Sequence, residues 1–317
     1  PRAPAMPEGL AATFWWIPVT LFAALAQTGR NAAQRSLTGS LGTWAATLVR
    51  FLFGLPFALV CLLSLYLWPG GTATPWPVFS WAYFGWIALG AAFQLGATAA
   101  LLRAMQERNF AVAVTLSKTE VLQVALFSVL FLAEWPTAVM VAAMLVATAG
   151  VGVLSLPPLG RRAGMGGSAW WSASAGYGLL CGACFALASV GYRGAALALG
   201  VESPWLSAAW GVLLAQAMQS LSLGGWLAWR SPEGLRPIWR AWRVSLVAGS
   251  LGAIASLAWF AAYAMQNAAA VRTVGMSEVL FSLLVSRGLF RERMSGTEKA
   301  GMTLVVLGVV VLCAPYL

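Results

Sequence analysis

Ten apolar runs, each about twenty residues long, follow one another along this chain and are separated by short polar links. A transmembrane helix needs about 20 mainly apolar residues, so each run is long enough to cross a bilayer. The predicted spans are 11–29, 42–67, 80–105, 110–132, 137–156, 170–192, 204–229, 243–266, 270–290 and 297–316. The sequence therefore predicts an all-α membrane protein with ten transmembrane helices.

The composition agrees with this prediction and excludes several classes of function. Hydrophobic residues make up 60% of the chain and charged residues only 9%, against about 25% in soluble domains. The net charge of +10 comes from basic residues scattered through the links, so a nucleic-acid surface is not expected. The chain has no His and no Asp, which excludes histidine-based catalysis, histidine metal sites and the aspartate-dependent sites of phosphoryl transfer. Cys181 and Cys184 lie inside an apolar run, as buried cysteines commonly do. We expect no enzyme activity, no metal and no cofactor.

The two halves of the chain repeat each other. At an offset of 158 residues Glu120 falls on Glu278, and at an offset of 162 Gly29 falls on Gly191. Each half contains five spans, an odd number, so the second copy enters the membrane in the opposite orientation. Inverted repeats of this kind are a common construction of transporters. The predicted organisation is an N-terminal tail at 1–10, a first five-span repeat at 11–156, a linker at 157–169 and a second five-span repeat at 170–317.

The fourth and ninth spans read SKTEVLQVALFSVLFLAEW and MSEVLFSLLVSRGLFRERMS, and a fifth span with widely spaced small residues follows each of them. With these stretches the chain resembles the drug/metabolite transporter superfamily in its ten-span, EamA-like form. The family often has an acid followed by proline in the second copy. Glu278 matches the acid, whereas Val279 stands at the proline position.

This resemblance implies a secondary active transporter in the bacterial inner membrane, a monomer or weak dimer that exports amino acids, related metabolites or drugs. It would work by alternating access between the inverted repeats, with protons or a counter-substrate as coupling partner. The alternative is a flippase for lipids or lipid-linked substrates, and a membrane-embedded enzyme and a passive channel are further hypotheses. The arginines, Arg30 among them, lie mainly in the odd-numbered links between spans. Since links rich in positive charge stay in the cytoplasm, this pattern predicts that both ends of the chain lie outside it. The resemblance implies cytoplasmic ends.

Four ionisable residues lie well inside predicted spans: Lys118, Glu120, Arg272 and Glu278. A charge at this depth costs about 2.5–3.5 kcal/mol, so such residues are candidates for function. The two carboxylates could bind an ammonium group or a proton, and Lys118 or Arg272 could bind a substrate carboxylate. The structural alternative is that these residues only pair with each other. On a regular helix Lys118 and Glu120 would point about 200° apart, and Arg272 could extend to the interface.

Five further residues are weaker candidates for binding or coupling: Arg50, Gln94, Gln123, Trp259 and Tyr263. Arg50 could also reach the headgroups, and the two glutamines could bond neighbouring helices. The aromatic pair could stack on a cationic substrate or simply pack. Glu134 and Glu292 are predicted to begin the fifth and tenth spans, where an acid favours the helix N-terminus.

Overall fold

The computed structural model describes residues 14–67, 76–106, 116–155, 173–290 and 295–316. These residues form helices and turns without any strand, as the sequence predicts. The α-helices in the described ranges are α1 Trp16–Leu41, α2 Thr43–Leu52, α3 Leu55–Leu67, α4 Trp81–Gln106, α5 Glu120–Leu132, α6 Ala138–Ser155, α7 Ala173–Leu199, α8 Pro204–Arg230, α9 Arg236–Arg240, α10 Trp242–Met265, α11 Ala268–Gly275, α12 Ser277–Phe290 and α13 Gly296–Cys313.

Seven helical stretches in the described residues are long and apolar enough to cross a membrane. They are Trp44–Leu67, Trp81–Leu101, Ala138–Ser155, Ala175–Leu199, Pro204–Arg230, Trp242–Met265 and Gly296–Tyr316. The first predicted span falls in α1, the fourth is represented by the shorter α5, and the ninth is divided between α11 and α12. Ten spans therefore remain the sequence prediction. The 1–10 tail and the 157–169 linker lie outside the described residues.

Polar caps define where several helices begin. The Ser203 hydroxyl accepts a hydrogen bond from the Leu206 backbone amide at 3.3 Å, at the start of α8. At α13 the side chain of Ser295 accepts from the Glu298 amide, and the Glu298 carboxylate accepts from the Ser295 amide. The acid in the first turn of α13 is therefore Glu298, and Glu292 lies outside the described residues. Glu134 precedes the first residue of α6 by four positions.

The second predicted span is divided into α2 and α3 at Phe53 and Gly54. Pro56 lies at the start of α3. Proline has no N–H to donate, and its ring would clash with a carbonyl one turn earlier if the helix were continuous. A Cβ on Gly54 would lie 2.8 Å from the Arg50 carbonyl oxygen. The break therefore needs glycine as well as proline.

The chain divides into two compact units, and the first combines residues 1–92 with 191–266. Within it α1 packs along α10, while α8 packs against α2, α3 and α10. Close approach depends on small residues, since a Cβ on Gly249 would lie only 2.6 Å from the backbone carbon of Phe53. Arg30, counted above among the link arginines, is instead a buried residue inside α1.

The second unit combines residues 93–190 with 267–317. Here α6 packs along α13, and α5 packs against α11. A Cβ on Gly150 would lie 2.7 Å from the Val305 backbone nitrogen, and one on Gly308 would lie 2.8 Å from the Ala143 carbonyl oxygen. These two helices are therefore in backbone contact through glycine.

Several helix contacts inside each unit join the first half of the sequence to the second. The second span lies against the seventh, the fourth against the ninth and the fifth against the tenth. In the first unit, Gly29 of α1 faces Leu251 of α10, and Gly191 of α7 faces Gly90 of α4. Gly29 and Gly191 are the glycines that the 162-residue offset aligns, and each of them faces a neighbouring helix.

Candidate functional site

Both spans that carry the paired glutamates lose regular α-helical geometry just before the acid. In the fourth span the turn at Lys118 and Thr119 separates α5 from the preceding residues, and the Leu122 amide donates to the Thr119 carbonyl at 3.0 Å. In the ninth span the helix is interrupted at Met276, and the Val279 amide donates to the Met276 carbonyl at 3.0 Å. These bonds span three residues, as in a 3₁₀ turn. The offset of 158 aligns Lys118 with Met276, so the two irregularities occupy equivalent positions although Val279 replaces the family's proline.

A small cavity lies in the second unit at these two turns. Its lining comes from α5, α11 and the turns beside them: Lys118, Glu120, Val121, Arg272, Gly275, Met276 and Glu278. The space is narrow enough to admit about one water molecule. The structure thus brings together the four ionisable residues predicted from the fourth and ninth spans.

An ion pair connects the two helices at this cavity. The Arg272 Nε donates to Glu120 Oε1 at 2.6 Å, and Arg272 Nη2 contacts the same oxygen. The Glu120 side chain is 5% exposed and the Arg272 side chain 14%. Attraction between the two charges is strong because little water reaches them, and it offsets part of the cost of burying them. Arg272 therefore does not extend to the interface.

Lys118 and Glu278 are half-buried and line the same cavity as the pair. The expectation that Lys118 and Glu120 point in opposite directions is wrong. It assumed a regular helix through both residues, whereas α5 begins at Glu120 and Lys118 belongs to the preceding turn. The cavity therefore has two acidic and two basic side chains in its wall, a composition suited to a ligand that carries both charges.

Gln123 lies beside the cavity and supports the turn. Its Nε2 donates to the Thr119 hydroxyl at 3.0 Å. On the other side α7 comes very close, since a Cβ on Gly182 would lie 2.9 Å from the Ser117 carbonyl oxygen and 3.2 Å from Gln123 Nε2. Thr119 and Gly182 were not predicted from the sequence to belong to the site. The signal that could have pointed to Gly182 is its position between two cysteines, both of which are buried. Gln94 is half-buried in α4 and is not among the lining residues.

The aromatic candidates Trp259 and Tyr263 belong to the first unit and are buried. The Trp259 indole Nε1 donates to Gln27 Oε1 at 3.0 Å, and the two candidate rings stack with centroids 6.1 Å apart. Tyr192 and Phe260 form a second ring pair, with centroids 4.1 Å apart. In this conformation these rings connect helices of the unit.

Arg50 is also buried, with its guanidinium carbon 4.9 Å from the centre of the Phe51 ring. It therefore does not reach toward headgroups from the second span.

Arg193 is a buried charge that the sequence reasoning passed over, since the sixth span was ended one residue before it. Helix α7 continues through Arg193 to Leu199. Its Nη1 donates to the Tyr263 carbonyl at 2.7 Å and to the Ala264 carbonyl at 3.2 Å. A cation is favourable at the carbonyl end of a helix, which makes this burial tolerable.

Comparison with known proteins agrees with this architecture. The model of the EamA-like transporter family matches residues 174–314. A crystal structure of a protein with 19% sequence identity superposes with a TM-score of 0.69, over 95% of this chain and 97% of that one. No curated protein sequence matches. At that identity the structural likeness shows a shared fold.

The described residues include seven apolar helices of membrane-spanning length, and the matched family is a family of transporters. The chain is accordingly a multi-pass membrane protein. Over residues 174–314 the chain is similar to the EamA-like transporter family.

Proposed function

We propose that the chain is a secondary transporter of small metabolites, and that amino acids or closely related zwitterions are its substrates. The observation that carries this proposal is the cavity at the fourth and ninth spans, with Lys118, Glu120, Arg272 and Glu278 in its wall. Ionisable groups within membrane helices are expensive, and they commonly mark substrate or ion pathways.

The charge arrangement suits a zwitterion. An α-amino acid has an ammonium group and a carboxylate only a few ångströms apart. Its carboxylate would bind Arg272 or Lys118, and its ammonium group would bind Glu120 or Glu278. In the structure Glu120 and Arg272 neutralise each other. Substrate would open this pair by supplying both opposite charges, and release would let the pair close again.

Alternating access between inverted repeats is the proposed mechanism. The packing of matched spans against each other within each unit supports it, as does the irregular backbone at the aligned positions Lys118 and Met276. Discontinuous helices near a binding site are common in transporters built from inverted repeats. Protons or a counter-substrate would then occupy the same carboxylates on the return step.

The test is uptake or counterflow of labelled amino acids in proteoliposomes. Glu120→Gln and Glu278→Gln should each reduce flux at least tenfold or abolish its dependence on pH. Glu233→Gln is a matched control, because Glu233 is exposed in a turn of the other unit and should keep wild-type flux. Wild-type flux in both single variants and in the double variant would refute the site. Flux of lipid analogues without any amino-acid flux would favour a flippase.

A further inference from the structure

The link between the apolar helices α8 and α10 is short and rich in arginine. Pro204–Arg230 and Trp242–Met265 are both long enough to cross a membrane, so the link between them is expected at a membrane surface. One acid, Glu233, lies in this stretch. It is outnumbered by four arginines in or directly beside the link: Arg230, Arg236, Arg240 and Arg243. The chain therefore has an excess of positive charge where it leaves and re-enters the bilayer.

The four arginine side chains are all exposed. Among the described residues, no side-chain hydrogen bond or ion pair engages Arg230, Arg236 or Arg240. The Arg243 guanidinium lies 5.5 Å from the centre of the Trp242 ring. Each guanidinium has five N–H donors, so this link presents donors to whatever lies outside the protein.

The short helix α9, Arg236–Arg240, has an inward and an outward face. Its two arginines are four residues apart and so lie on one face, with Trp239 beside them. Ile238 points about 200° away from Arg236 and is only 1% exposed. The buried face belongs to a helix that contacts α1, α2 and α10. The guanidinium groups of Arg236 and Arg240 therefore face a common space outside the protein.

Exposed tryptophans accompany these arginines. Trp229 is 81% exposed near the end of α8, Trp239 is 63% exposed on α9, and Trp242 is 48% exposed at the start of α10. Tryptophan has an apolar ring with one polar N–H, and in membrane proteins it is enriched at the level of the lipid headgroups. The Trp239 ring also contacts Phe53, with ring centres 5.5 Å apart. The rings therefore place the outward face of α9 beside headgroups.

We infer that the outward face of α9, formed by Arg236, Trp239 and Arg240, binds the headgroup of an anionic phospholipid. The planar guanidinium forks match the oxygens of a phosphate group, and the exposed indole packs against the glycerol and the upper acyl chain. Arg230 and Arg243 add to the positive potential nearby. A lipid fits this face better than a soluble anion, because a soluble anion would gain nothing from the exposed ring. The face shares no residue with the proposed transport cavity.

Lipid binding to the purified full-length chain tests this face. Native mass spectrometry in detergent would measure the Kd of phosphatidylglycerol and of phosphatidylcholine in separate titrations. Phosphatidylglycerol should bind at least tenfold more tightly, because its headgroup has a net negative charge. Thermal unfolding in the same detergent would compare phosphatidylglycerol with inorganic phosphate at equal ionic strength. The lipid should raise Tm more than phosphate does, and high salt should reduce its effect.

Variants locate the binding. An arginine near an anionic lipid surface contributes about fivefold in affinity, so Arg236→Gln/Arg240→Gln should raise the Kd of phosphatidylglycerol at least tenfold. The Kd of phosphatidylcholine should change less than about twofold. Trp239→Ser should weaken phosphatidylglycerol binding about threefold. Without added lipid, the Tm of the double variant should stay within about 2 °C of the wild type, because both side chains are exposed.

The matched control is Arg103→Gln/Lys299→Gln. Both residues are exposed and belong to the second unit, and this variant loses the same charge as the α9 variant. Its Kd for phosphatidylglycerol should equal that of the wild type within about twofold. The comparison therefore distinguishes a local surface from the effect of net charge.

Three results would overturn the assignment. One is equal affinity of the wild type for the two lipids. Another is an equal Kd in the α9 variant and the matched control, which would show that net charge alone attracts the lipid. The third is equal stabilisation by phosphate and by phosphatidylglycerol, which would indicate a soluble anion. Because the readout is lipid binding, loss of amino-acid flux with intact phosphatidylglycerol affinity would refute only the proposed function.

Discussion

Replacing Glu120 by glutamine removes one charge of the ion pair and leaves Arg272 positively charged against a neutral amide. Losing one partner of a buried pair costs about 3–5 kcal/mol when the remaining charge has no access to water. The Arg272 side chain is 14% exposed, so some hydration survives. We therefore expect a smaller cost than this range, about 2–3 kcal/mol.

The assay is thermal unfolding of the purified protein, followed by tryptophan fluorescence. A change of about 1 kcal/mol moves the Tm of a domain of roughly this size by about 2–4 °C, so Glu120→Gln should lower Tm by about 4–12 °C. The double variant Glu120→Gln/Arg272→Gln should recover most of this loss, because two neutral amides can bond each other and no charge stays buried. Glu233→Gln should leave Tm unchanged.

Comparing the single and double variants isolates the coupling between the two residues. A coupling free energy of at least about 1 kcal/mol is expected for a pair in direct contact. If Glu120→Gln unfolds within 1 °C of the wild type and the double variant shows additive losses, the pair does not stabilise the fold. The account of how the two charges tolerate burial would then be wrong.

Three further substitutions test the packing around the two units. Gly301→Val should destabilise the α6–α13 contact by about 3 kcal/mol through overpacking. Gly152→Val, with open space around its Cβ position, should change stability by less than about 1 kcal/mol. Equal Tm values in the two variants would contradict the described contact. Arg193→Met should cost about 2 kcal/mol of unfolding free energy by removing two charged hydrogen bonds from the end of α10, and Arg193→Lys should restore part of it. An unchanged Tm in Arg193→Met would show that the cap is energetically neutral. Gly182→Val should displace the turn before Glu120 and reduce amino-acid flux at least tenfold. Gly176→Val, whose added side chain meets nothing within 4 Å, should transport normally. Equal flux in the two variants would show that α7 does not support the site.

The helical architecture could be predicted because hydropathy acts locally. Long apolar runs can satisfy their backbone only as helices in a bilayer, so runs such as 138–155 and 204–230 end within a few residues of their predicted limits. The grouping of Lys118, Glu120, Arg272 and Glu278 could also be anticipated, since the 158-residue offset places both glutamates at equivalent depths.

What the sequence concealed depends on distant contacts or on weak local signals. Arg30 and Arg193 were excluded from spans because a charge breaks an apolar run. Their burial depends on residues far along the chain, such as the carbonyl of Tyr263, 70 residues after Arg193. No proline marks the interruption at Met276 or predicts a turn at the equivalent position, Lys118. Helical periodicity assumes a regular helix, so it could not give the orientation of Lys118.

The pairing of α1 with α10 has a consequence for how the protein is made. Arg30 lies about 220 residues before Gly252, the glycine on which its side chain packs, and at about 5–20 residues per second the ribosome needs roughly 10–45 s to synthesise that interval. The sequence predicts α1 as the first span, so during this time α1 would lie in the membrane with a charge inside it and without the helix that packs against it. We expect insertion machinery or a temporary lipid contact to shelter Arg30 during this interval. Slowing translation between α1 and α10 should therefore increase degradation of the nascent protein, and Arg30→Gln should be less sensitive to the delay.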